Sequence, residues 1–296
     1  MARSKRTSQS ASPPLLGAHF SIAGGLHRAL FRARKYGCTA MQIFTKNANT
    51  WKERQVSAEE IALFDQARIE TGIRHIAAHT SYLINLASPD RHKHGRSCRA
   101  LENELLRSAA MGIGQVVLHP GAHMDSGTKA GQQRIADSIR LIFGATGPLG
   151  CRILLETTAG QGSSVGHTFE QLAAILERID EPSRTGICLD SSHIFAAGYD
   201  IRNKTAYRQT MAAFKRIIGL EHLYLIHLND SKKELGSRVD RHAAIGRGFI
   251  GLTAFECFMN DARLSRIPKI IETPKTEDGK DMDRLNLKTL RGLLKN

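Results

Sequence analysis

The stretch GICLDSSHIFAAGYD, residues 186–200, contains the pattern that decides the fold. A short apolar run from Ile187 to Leu189 predicts a buried strand that ends abruptly in Asp190, and His193 follows three residues later. One interpretation of this ending is a solvated strand end followed by a turn. The other interpretation is a metal site, and the rest of the chain decides between the two.

Eight apolar runs of this kind recur along the chain, and each is followed by a segment with helical spacing. The runs are LLGAHF, AMQIF, HIAAHT, QVVLHP, RILLET, GICLD, LYLIHL and KIIET. Residues 168–179, for example, place their apolar side chains on one face, as an amphipathic helix does. Capping boxes predict three helix starts, at Ser57 with Glu60, Thr168 with Gln171, and Thr253 with Glu256.

Eight strands that alternate with eight helices predict an α/β fold, a single (β/α)8 TIM barrel with long loops at the C-terminal face of the strands. An open doubly wound sheet is the alternative, but GAHFSIAGG lacks the G-x-G-x-x-G pattern of a dinucleotide site. No linker divides the chain, so we expect residues 15–296 to form one barrel domain. Residues 1–14 are basic, rich in serine and closed by two prolines, which predicts a flexible tail.

The composition narrows the class of protein. An apolar content of 41% is enough for a sizeable core. No apolar run approaches the roughly 18 residues that a membrane span needs, so no membrane partner is expected. The five cysteines include no C-x-x-C pair, which argues against a disulfide framework or a cysteine zinc site. We therefore expect a reducing compartment: the cytoplasm, with the nucleoid as the location in a prokaryote, and an organelle or the nucleus as alternatives. We also expect a monomer.

The formal net charge of +14 points to a polyanionic partner. Nine Lys or Arg residues precede Glu53, the first acidic residue, and a second basic cluster, RHKHGRSCR, spans residues 91–99. A solvated basic surface would have the same composition. A nucleic acid is the functional interpretation, because Lys and Arg that neutralise phosphates release condensed counterions.

Ionisable residues stand at the C-terminal ends of six successive strands, where the active site of such a barrel lies. They are His79, His119, Glu156, Asp190, His227 and Glu272. Any one of them alone is more often structural than a ligand. Six in succession, all His, Asp or Glu, favour a metal centre at a common rim.

A second set of ligand residues lies beyond these strand ends. His193 follows Asp190 in the predicted loop after the sixth strand, and the segment VDRH places Asp240 and His242 on the same side of an extended stretch. Imidazole and carboxylate without thiolate fit zinc or manganese better than calcium or magnesium. Nine ligands suit two or three ions. With the basic surface, they predict a metal-dependent phosphodiesterase that acts on nucleic acid.

Six long motifs resemble endonuclease IV, the trinuclear-zinc apurinic/apyrimidinic endonucleases of base excision repair. They are AHTSYLINLAS, VVLHPGAH, ILLETTAGQGSSVG, CLDSSHIFAAGYD, HLNDSKKELGSRVDRHAAIGRGFIG and IIETP. The resemblance runs from about Gly17 to the C-terminus. All nine positions expected to bind metal carry the expected residue types.

The resemblance implies three zinc ions per chain, with manganese or iron as replacements at some positions. It assigns the ligands in three groups: His79, His119 and Glu156; Glu156 as a bridge with Asp190, His227 and Glu272; and His193, Asp240 and His242. It further implies hydrolysis of the phosphodiester 5′ to an abasic site in duplex DNA, leaving a 3′-hydroxyl and a 5′-deoxyribose phosphate. Glu272 and Glu156 are the expected catalytic residues, and Glu272 would orient or deprotonate the nucleophile.

Residues that match the recognition loops of the family, or that lie near the barrel mouth, are expected to contact DNA. They are His19, Asn47, Asn49, Tyr82, Leu83, Asn229 and Lys232. Tyr82 and Leu83 match a loop that inserts side chains beside the flipped sugar, where an aromatic or apolar wedge assists unstacking. Asn49 stands where the family commonly has Arg.

Two alternatives remain at this point. A sugar isomerase or epimerase of a xylose-isomerase-like barrel also has carboxylates and imidazoles at its strand ends, usually for one or two metals. The set of His193, Asp240 and His242 and the charge of +14 argue against it. A basic DNA-binding protein with structural zinc is the other alternative, although structural zinc sites are closed and often built from cysteine.

Overall fold

The computed structural model describes residues 13–295, so most of the predicted tail, residues 1–14, lies outside the described residues. Eight parallel strands form the barrel. They are β1 Leu16–Phe20, β2 Ala40–Phe44, β3 His75–His79, β4 Gln115–Leu118, β5 Arg152–Glu156, β6 Thr185–Asp190, β7 Leu223–His227 and β10 Lys269–Ile271. They close in the order β1-β10-β7-β6-β5-β4-β3-β2. The predicted (β/α)8 barrel is confirmed.

Within residues 13–295 the structure has nine α-helices, one more than the eight expected. They are α1 Leu26–Lys35, α2 Ala58–Thr71, α3 Arg91–Ala110, α4 Thr128–Thr146, α5 Phe169–Ile179, α6 Ser191–Ala197, α7 Lys204–Ile217, α8 Leu252–Asn260 and α9 Met282–Gly292. Two short hairpins complete the loops: β8 Asp230–Ser231 pairs with β9 His242–Ala243, and β11 Thr276–Glu277 pairs with β12 Lys280–Asp281. None of the helices described in this range is long and apolar enough to cross a membrane.

The additional helix is α6, and it corrects the prediction that His193 lies in a loop. Asp190 ends β6 and is also the N-cap of α6, because its Oδ1 accepts hydrogen bonds from the backbone N–H groups of Ser192 and His193 at 2.7 and 2.9 Å. A carboxylate cap of this kind satisfies N–H groups that lack a partner in the first turn. The short helix turns the His193 side chain back toward the barrel.

The three predicted capping boxes differ in outcome. The box of Ser57 and Glu60 is complete at the start of α2. Thr168 caps α5 through its hydroxyl, but the Gln171 side chain accepts from Gly166 and His167 instead of Thr168. The third box is wrong. The chain turns at Gly251 with φ 80°, α8 begins at Leu252, and Thr253 is already inside the helix.

Seven buried residues fill the interior of the barrel, separate from the larger core between the sheet and the helices. They are Ala40, Ala77, Val117, Leu154, Cys188, Leu225 and Ile270. Burial raises the pKa of the Cys188 thiol to about 12, so this side chain packs here as a neutral thiol. These side chains form the floor on which the polar residues of the next layer rest.

Lys269 is a buried cation at the start of β10, 3% exposed. Its Nζ donates to the carbonyl oxygens of Leu264 and Ile267 at 2.7 and 3.2 Å. Burial lowers the pKa of this amine from 10.5 to about 8. Between these two pH values the unfolded chain holds a proton that the folded chain has released, so stability rises with pH across this window.

We therefore expect the free energy of unfolding of the protein, relative to a Lys269→Met variant, to rise by up to roughly 3 kcal/mol between about pH 7.5 and pH 10.5. Urea unfolding of both proteins at the two pH values measures the difference and cancels groups that titrate alike in both. A difference that is independent of pH, or that falls as pH rises, would contradict the lowered pKa.

Candidate metal centre

Seven polar residues form a layer directly above the apolar floor of the barrel. They are Gln42, His79, His119, Glu156, Asp190, His227 and Glu272. Each stands two positions after one of the seven floor residues, as Glu156 follows Leu154. Because side chains alternate along a strand, residues two positions apart point to the same side. The structure thus brings together all six strand-end residues that the sequence predicted, and it adds Gln42.

Glu156 is the centre of this layer and is fully buried. Its Oε2 lies 3.1 Å from Nε2 of His79 and 2.9 Å from Nε2 of His119. Its Oε1 lies 2.9 Å from Nδ1 of His227. One carboxylate therefore faces two groups of donors, as a bridging ligand between metal ions must.

A second group of donors forms around His227. Its Nδ1 lies 3.0 Å from Oε2 of Glu272 and 3.8 Å from Oδ2 of Asp190. Donor atoms of Glu156, Asp190, His227 and Glu272 all lie within 4.8 Å of one another. Donor atoms of His79, His119 and Glu156 lie within the same distance of one another.

The third predicted group is also assembled. His193 on α6 places Nε2 3.1 Å from Oδ2 of Asp240, and Nε2 of His242 lies 3.3 Å from Oδ1 of the same carboxylate. Both imidazole nitrogens are buried without a correctly oriented hydrogen bond. Asp190 contributes here too, since its Oδ2 lies 3.7 Å from Nε2 of His242.

In three of the ligand histidines, the partner of Nδ1 shows which ring nitrogen is free to bind metal. Nδ1 of His79 lies 2.8 Å from the Thr80 carbonyl, and Nδ1 of His193 lies 2.7 Å from the Thr157 carbonyl. Nδ1 of His242 lies 3.3 Å from the Glu272 carbonyl. A carbonyl accepts only, so each Nδ1 donates and Nε2 keeps its lone pair toward the carboxylates.

His227 has the opposite orientation, and Gln42 explains it. Nε2 of His227 lies 2.9 Å from Oε1 of Gln42, so Nδ1 is the nitrogen directed at Glu156 and Glu272. The Gln42 amide also donates to Oε1 of Glu272 at 2.6 Å. Gln42 thus fixes both a histidine and a carboxylate. A role for Gln42 was not predicted from the sequence. The available signal was its position in AMQIF, two residues after Ala40, which directs its side chain to the same side as that of Ala40.

Charges within the cluster oppose the effect of burial on Glu156 and His227. Burial by itself would raise the pKa of Glu156, but His119 and His227 hold it well below its usual value. Burial would lower the pKa of His227, but Cys188, Glu272 and Glu156 hold it well above its usual value. Protons and metal ions compete for such nitrogens. A divalent ion bound there would replace the imidazole protons as the positive charge next to the carboxylates.

These observations fit zinc. The donors are imidazole nitrogens and carboxylate oxygens, the lone pairs converge, and two buried nitrogens lack any other partner. The outer atoms of the ligands are held by carbonyl and amide groups, as is usual around metal-binding histidines. The residues present can therefore hold ions in three adjoining groups.

We expect Gln42→Met to lower zinc affinity by roughly 10- to 100-fold, because it releases the His227 ring and the Glu272 carboxylate from their shared support. Competition with a fluorescent zinc chelator measures the loss. Gln115→Met is the matched control, since Gln115 is a half-buried glutamine at the opposite end of the barrel. Equal affinities for Gln42→Met and the native chain would remove Gln42 from the centre.

Comparisons with known proteins identify relatives of this chain. A family model described as a xylose isomerase-like TIM barrel matches residues 30–293. A curated protein of Geotalea daltonii named probable endonuclease 4 is 46% identical over 280 residues, which cover 95% of this chain and 98% of that protein.

The chain belongs to the endonuclease IV family.

Solved structures separate this family from other barrels of the same fold. Endonuclease IV from Thermus thermophilus superposes with a TM-score of 0.84 at 34% identity, covering 95% of this chain and 98% of that one. The 3-keto-D-glucoside 4-epimerase of Escherichia coli superposes with a TM-score of 0.66 at 14% identity, covering 95% and 99%. At this identity, the likeness to the epimerase shows only that the barrel fold is common to both.

Several residues predicted to contact DNA lie exposed around the endonuclease IV-like centre. Tyr82 is 61% exposed, and its ring contacts those of Phe44 and His119 at centroid distances of 5.3 and 6.4 Å. The exposed loop residues among the predicted contacts are Asn47, Asn49 and Lys232. Leu83 is half-buried. These positions leave their predicted role in DNA binding open to test.

Two of the residues predicted to contact DNA, Asn229 and His19, instead contact ligand residues of the metal centre. Asn229 is fully buried; its amide donates to Oδ2 of Asp190 at 2.6 Å, and its Oδ1 accepts the backbone N–H of Glu272 at 2.7 Å. We therefore revise the role of Asn229 to holding two ligand residues.

His19 also lies beside the centre. Its Nδ1 lies 3.2 Å from Oε1 of Glu272 and 3.0 Å from the Gln42 amide nitrogen, so His19 supports Glu272 at the rim.

Proposed function

We propose that this protein is a DNA repair endonuclease that hydrolyses the phosphodiester 5′ to an abasic site in duplex DNA, leaving a 3′-hydroxyl and a 5′-deoxyribose phosphate. The observation that carries the proposal is the convergence of nine side chains into three adjoining groups around Glu156, Asp190 and Asp240. Relatives named probable endonuclease 4 and endonuclease IV support an endonuclease.

The nine residues would hold three zinc ions in the groups given above, with manganese or iron able to replace zinc at some positions. Bound zinc supplies Lewis acidity toward a phosphate oxygen and lowers the pKa of a bound water to roughly 7. Glu156, fully buried, holds His79, His119 and His227 in place through its two oxygens.

Glu272 is the ligand residue best placed to act on the attacking water. Its side chain is 15% exposed, unlike the fully buried Glu156 and Asp190. Oε1 is held by His19 and Gln42, while Oε2 faces His227 and the centre. A carboxylate fixed in this way can orient a water molecule. Glu272 would then accept the proton of that water as the water attacks the phosphate.

The surroundings of the centre suit an extruded sugar. A cavity of about 350 Å³ adjoins His119, His193 and Asp240, and Tyr82 stands on its rim. An abasic nucleotide stacks poorly, so extruding it costs less than flipping a normal nucleotide. The exposed Tyr82 ring is available to fill the gap that is left in the duplex.

Duplex DNA is the proposed partner. Lys232 and Arg241 are exposed cations on neighbouring segments beside the ligand His242, where they are available to meet the DNA phosphates. All five cysteines are free, which supports a reducing compartment, and we place a monomeric enzyme in the cytoplasm.

The proposal is tested with a labelled duplex that contains one reduced abasic site, which cannot undergo β-elimination. We expect zinc-loaded protein to make a single cut 5′ to the lesion with a 3′-hydroxyl, and no cut in the intact duplex. A parallel assay for epimerisation of ketoses is expected to give no product. Intact abasic DNA beside an epimerised sugar would overturn the assignment in favour of the isomerase alternative.

A further inference from the structure

Loop 45–54, between β2 and α2, is held from below by a buried ion pair on α3. Arg107 and Glu104 are 6% and 2% exposed, and Nη2 of Arg107 donates to Glu104 at 2.6 Å. Nε of Arg107 donates to Oγ1 of Thr45 at 2.7 Å, and Nη1 donates to the Arg54 carbonyl at 3.1 Å. The Thr45 hydroxyl in turn donates to Oε1 of Glu104 at 2.6 Å. One arginine therefore fastens both ends of the loop.

The lysine of this loop is also turned inward. Lys46 is 5% exposed, and its Nζ donates to the carbonyl of Thr50 at 2.7 Å and to that of Lys52 at 3.4 Å. Its Nζ also lies 3.7 Å from Oε1 of Glu53. The Lys46 ammonium is thus used to close the loop on itself and is not presented to a phosphate.

A further contact joins loop 45–54 to the loop that follows β3. The hydroxyl of buried Ser81 donates to the Ala48 carbonyl, and Ser81 directly precedes Tyr82. On the outer side of loop 45–54, Asn47 and Asn49 are exposed. The buried network thus sets the positions of exposed groups in two loops beside the metal centre.

Such a network is hard to explain by stability alone. Burying an ion pair requires desolvation that its attraction roughly repays, so buried pairs are weak evidence for stabilisation. An unfixed loop, in contrast, must lose conformational freedom when it binds a partner, and rigidity in advance removes that cost from binding. The network lies under a loop beside the metal centre, where a loop ordered in advance loses the least conformational freedom on binding a substrate.

We propose that Arg107 is a positioning residue that, with Glu104, pre-organises loop 45–54 for contact with the DNA backbone. The identity of the ligand rests on the proposed function, whereas the rigidity of the loop does not. Arg107 does not touch the substrate. Its effect on the reaction is on the binding of the duplex and not on the chemical step.

Trp51, the only tryptophan of the chain, lies inside this loop and reports on it directly. Its ring is half-buried, with the Arg96 guanidinium 4.6 Å from the ring centre. We expect Arg107→Met to increase acrylamide quenching of Trp51 and to lower its fluorescence anisotropy in the free protein. For the zinc-loaded enzyme on an abasic duplex, we expect KM to rise by about tenfold with kcat within about twofold. Arg107→Lys restores part of both losses.

Two further variants keep the test decisive. Thr45→Val removes the hydroxyl that joins the loop to the pair but leaves no charge unpaired, so we expect the same changes at smaller size if Arg107→Met folds poorly. Arg184→Met is the matched control, because Arg184 donates to the carbonyls of Phe143 and Gly147 at the opposite end of the barrel. It should leave Trp51 and KM unchanged.

Unchanged Trp51 mobility in Arg107→Met and Thr45→Val would overturn the pre-organisation of the loop. A mobile Trp51 with unchanged KM, or an equal fall in kcat, would overturn the assignment of Arg107 to substrate positioning. Failure of the native enzyme to cut abasic DNA would refute the proposed function instead, and the Trp51 measurements would still decide whether the pair fixes the loop.

Discussion

Glu272→Gln is expected to lower kcat for incision of abasic DNA by roughly 10²- to 10⁴-fold, the range for loss of a general base. The Glu272 carboxylate is more exposed than those of Glu156 and Asp190, and His19 and Gln42 hold its Oε1. Glutamine keeps the shape but provides neither a basic oxygen nor a negative charge at the same atom. Single-turnover cleavage of the reduced abasic duplex, with zinc content measured in parallel, isolates the chemical step.

Glu277→Gln provides the matched control for Glu272→Gln. Glu277 lies exposed in the hairpin of β11 and β12, where it pairs with Arg247. This variant should cut at the native rate. If Glu272→Gln retains a native rate with its zinc in place, Glu272 has no part in proton transfer, and another group must orient the water.

Asp190→Ala is expected to lose both activity and stability, because the two oxygens of this carboxylate have different functions. Oδ1 caps α6, and Oδ2 accepts from the Asn229 amide and faces the metal centre. Loss of the cap and an unpaired buried amide together should lower the free energy of unfolding by roughly 2–4 kcal/mol. Urea unfolding with a chelator present measures this part without any contribution from metal.

Asp190→Asn separates the two functions. An amide oxygen can still cap α6, but the new amide nitrogen then faces the Asn229 amide and cannot accept from it. Only the part of the stability that belongs to the cap, roughly 0.5–2 kcal/mol, should therefore return in chelator, while the charge that faces the metal centre is missing. We expect zinc affinity and incision to stay low in this variant. If Asp190→Asn and Asp190→Ala are equally unstable in chelator, the cap is not what Asp190 contributes to the fold.

The barrel and its ligand residues could be predicted because both depend on local pattern. Each strand has its own apolar run, and parallel strands in a closed barrel bring their C-terminal ends to one rim. His79, Glu156 and Asp190 therefore followed from strand ends alone. The resemblance to endonuclease IV then grouped the ligands, and the distances around Glu156 agree with that grouping.

What the sequence could not supply depends on contacts between distant segments. Gln42 supports His227 across the barrel, 185 positions away, and an isolated Gln in an apolar strand gives little sign of this. Asn229 was predicted as a DNA contact because it lies near the mouth, yet burial directs its amide to Asp190. α6 was missed because seven residues after a strand are too few for a helical period to be visible.

The central claim is that these nine side chains hold three zinc ions, and diffraction tests it most directly. Crystals of the purified protein would be measured on both sides of the zinc absorption edge. We expect three anomalous peaks, one within each group of donors around Glu156, Asp190 and Asp240. Fewer than two peaks among these residues, or peaks confined to the protein surface, would contradict the account.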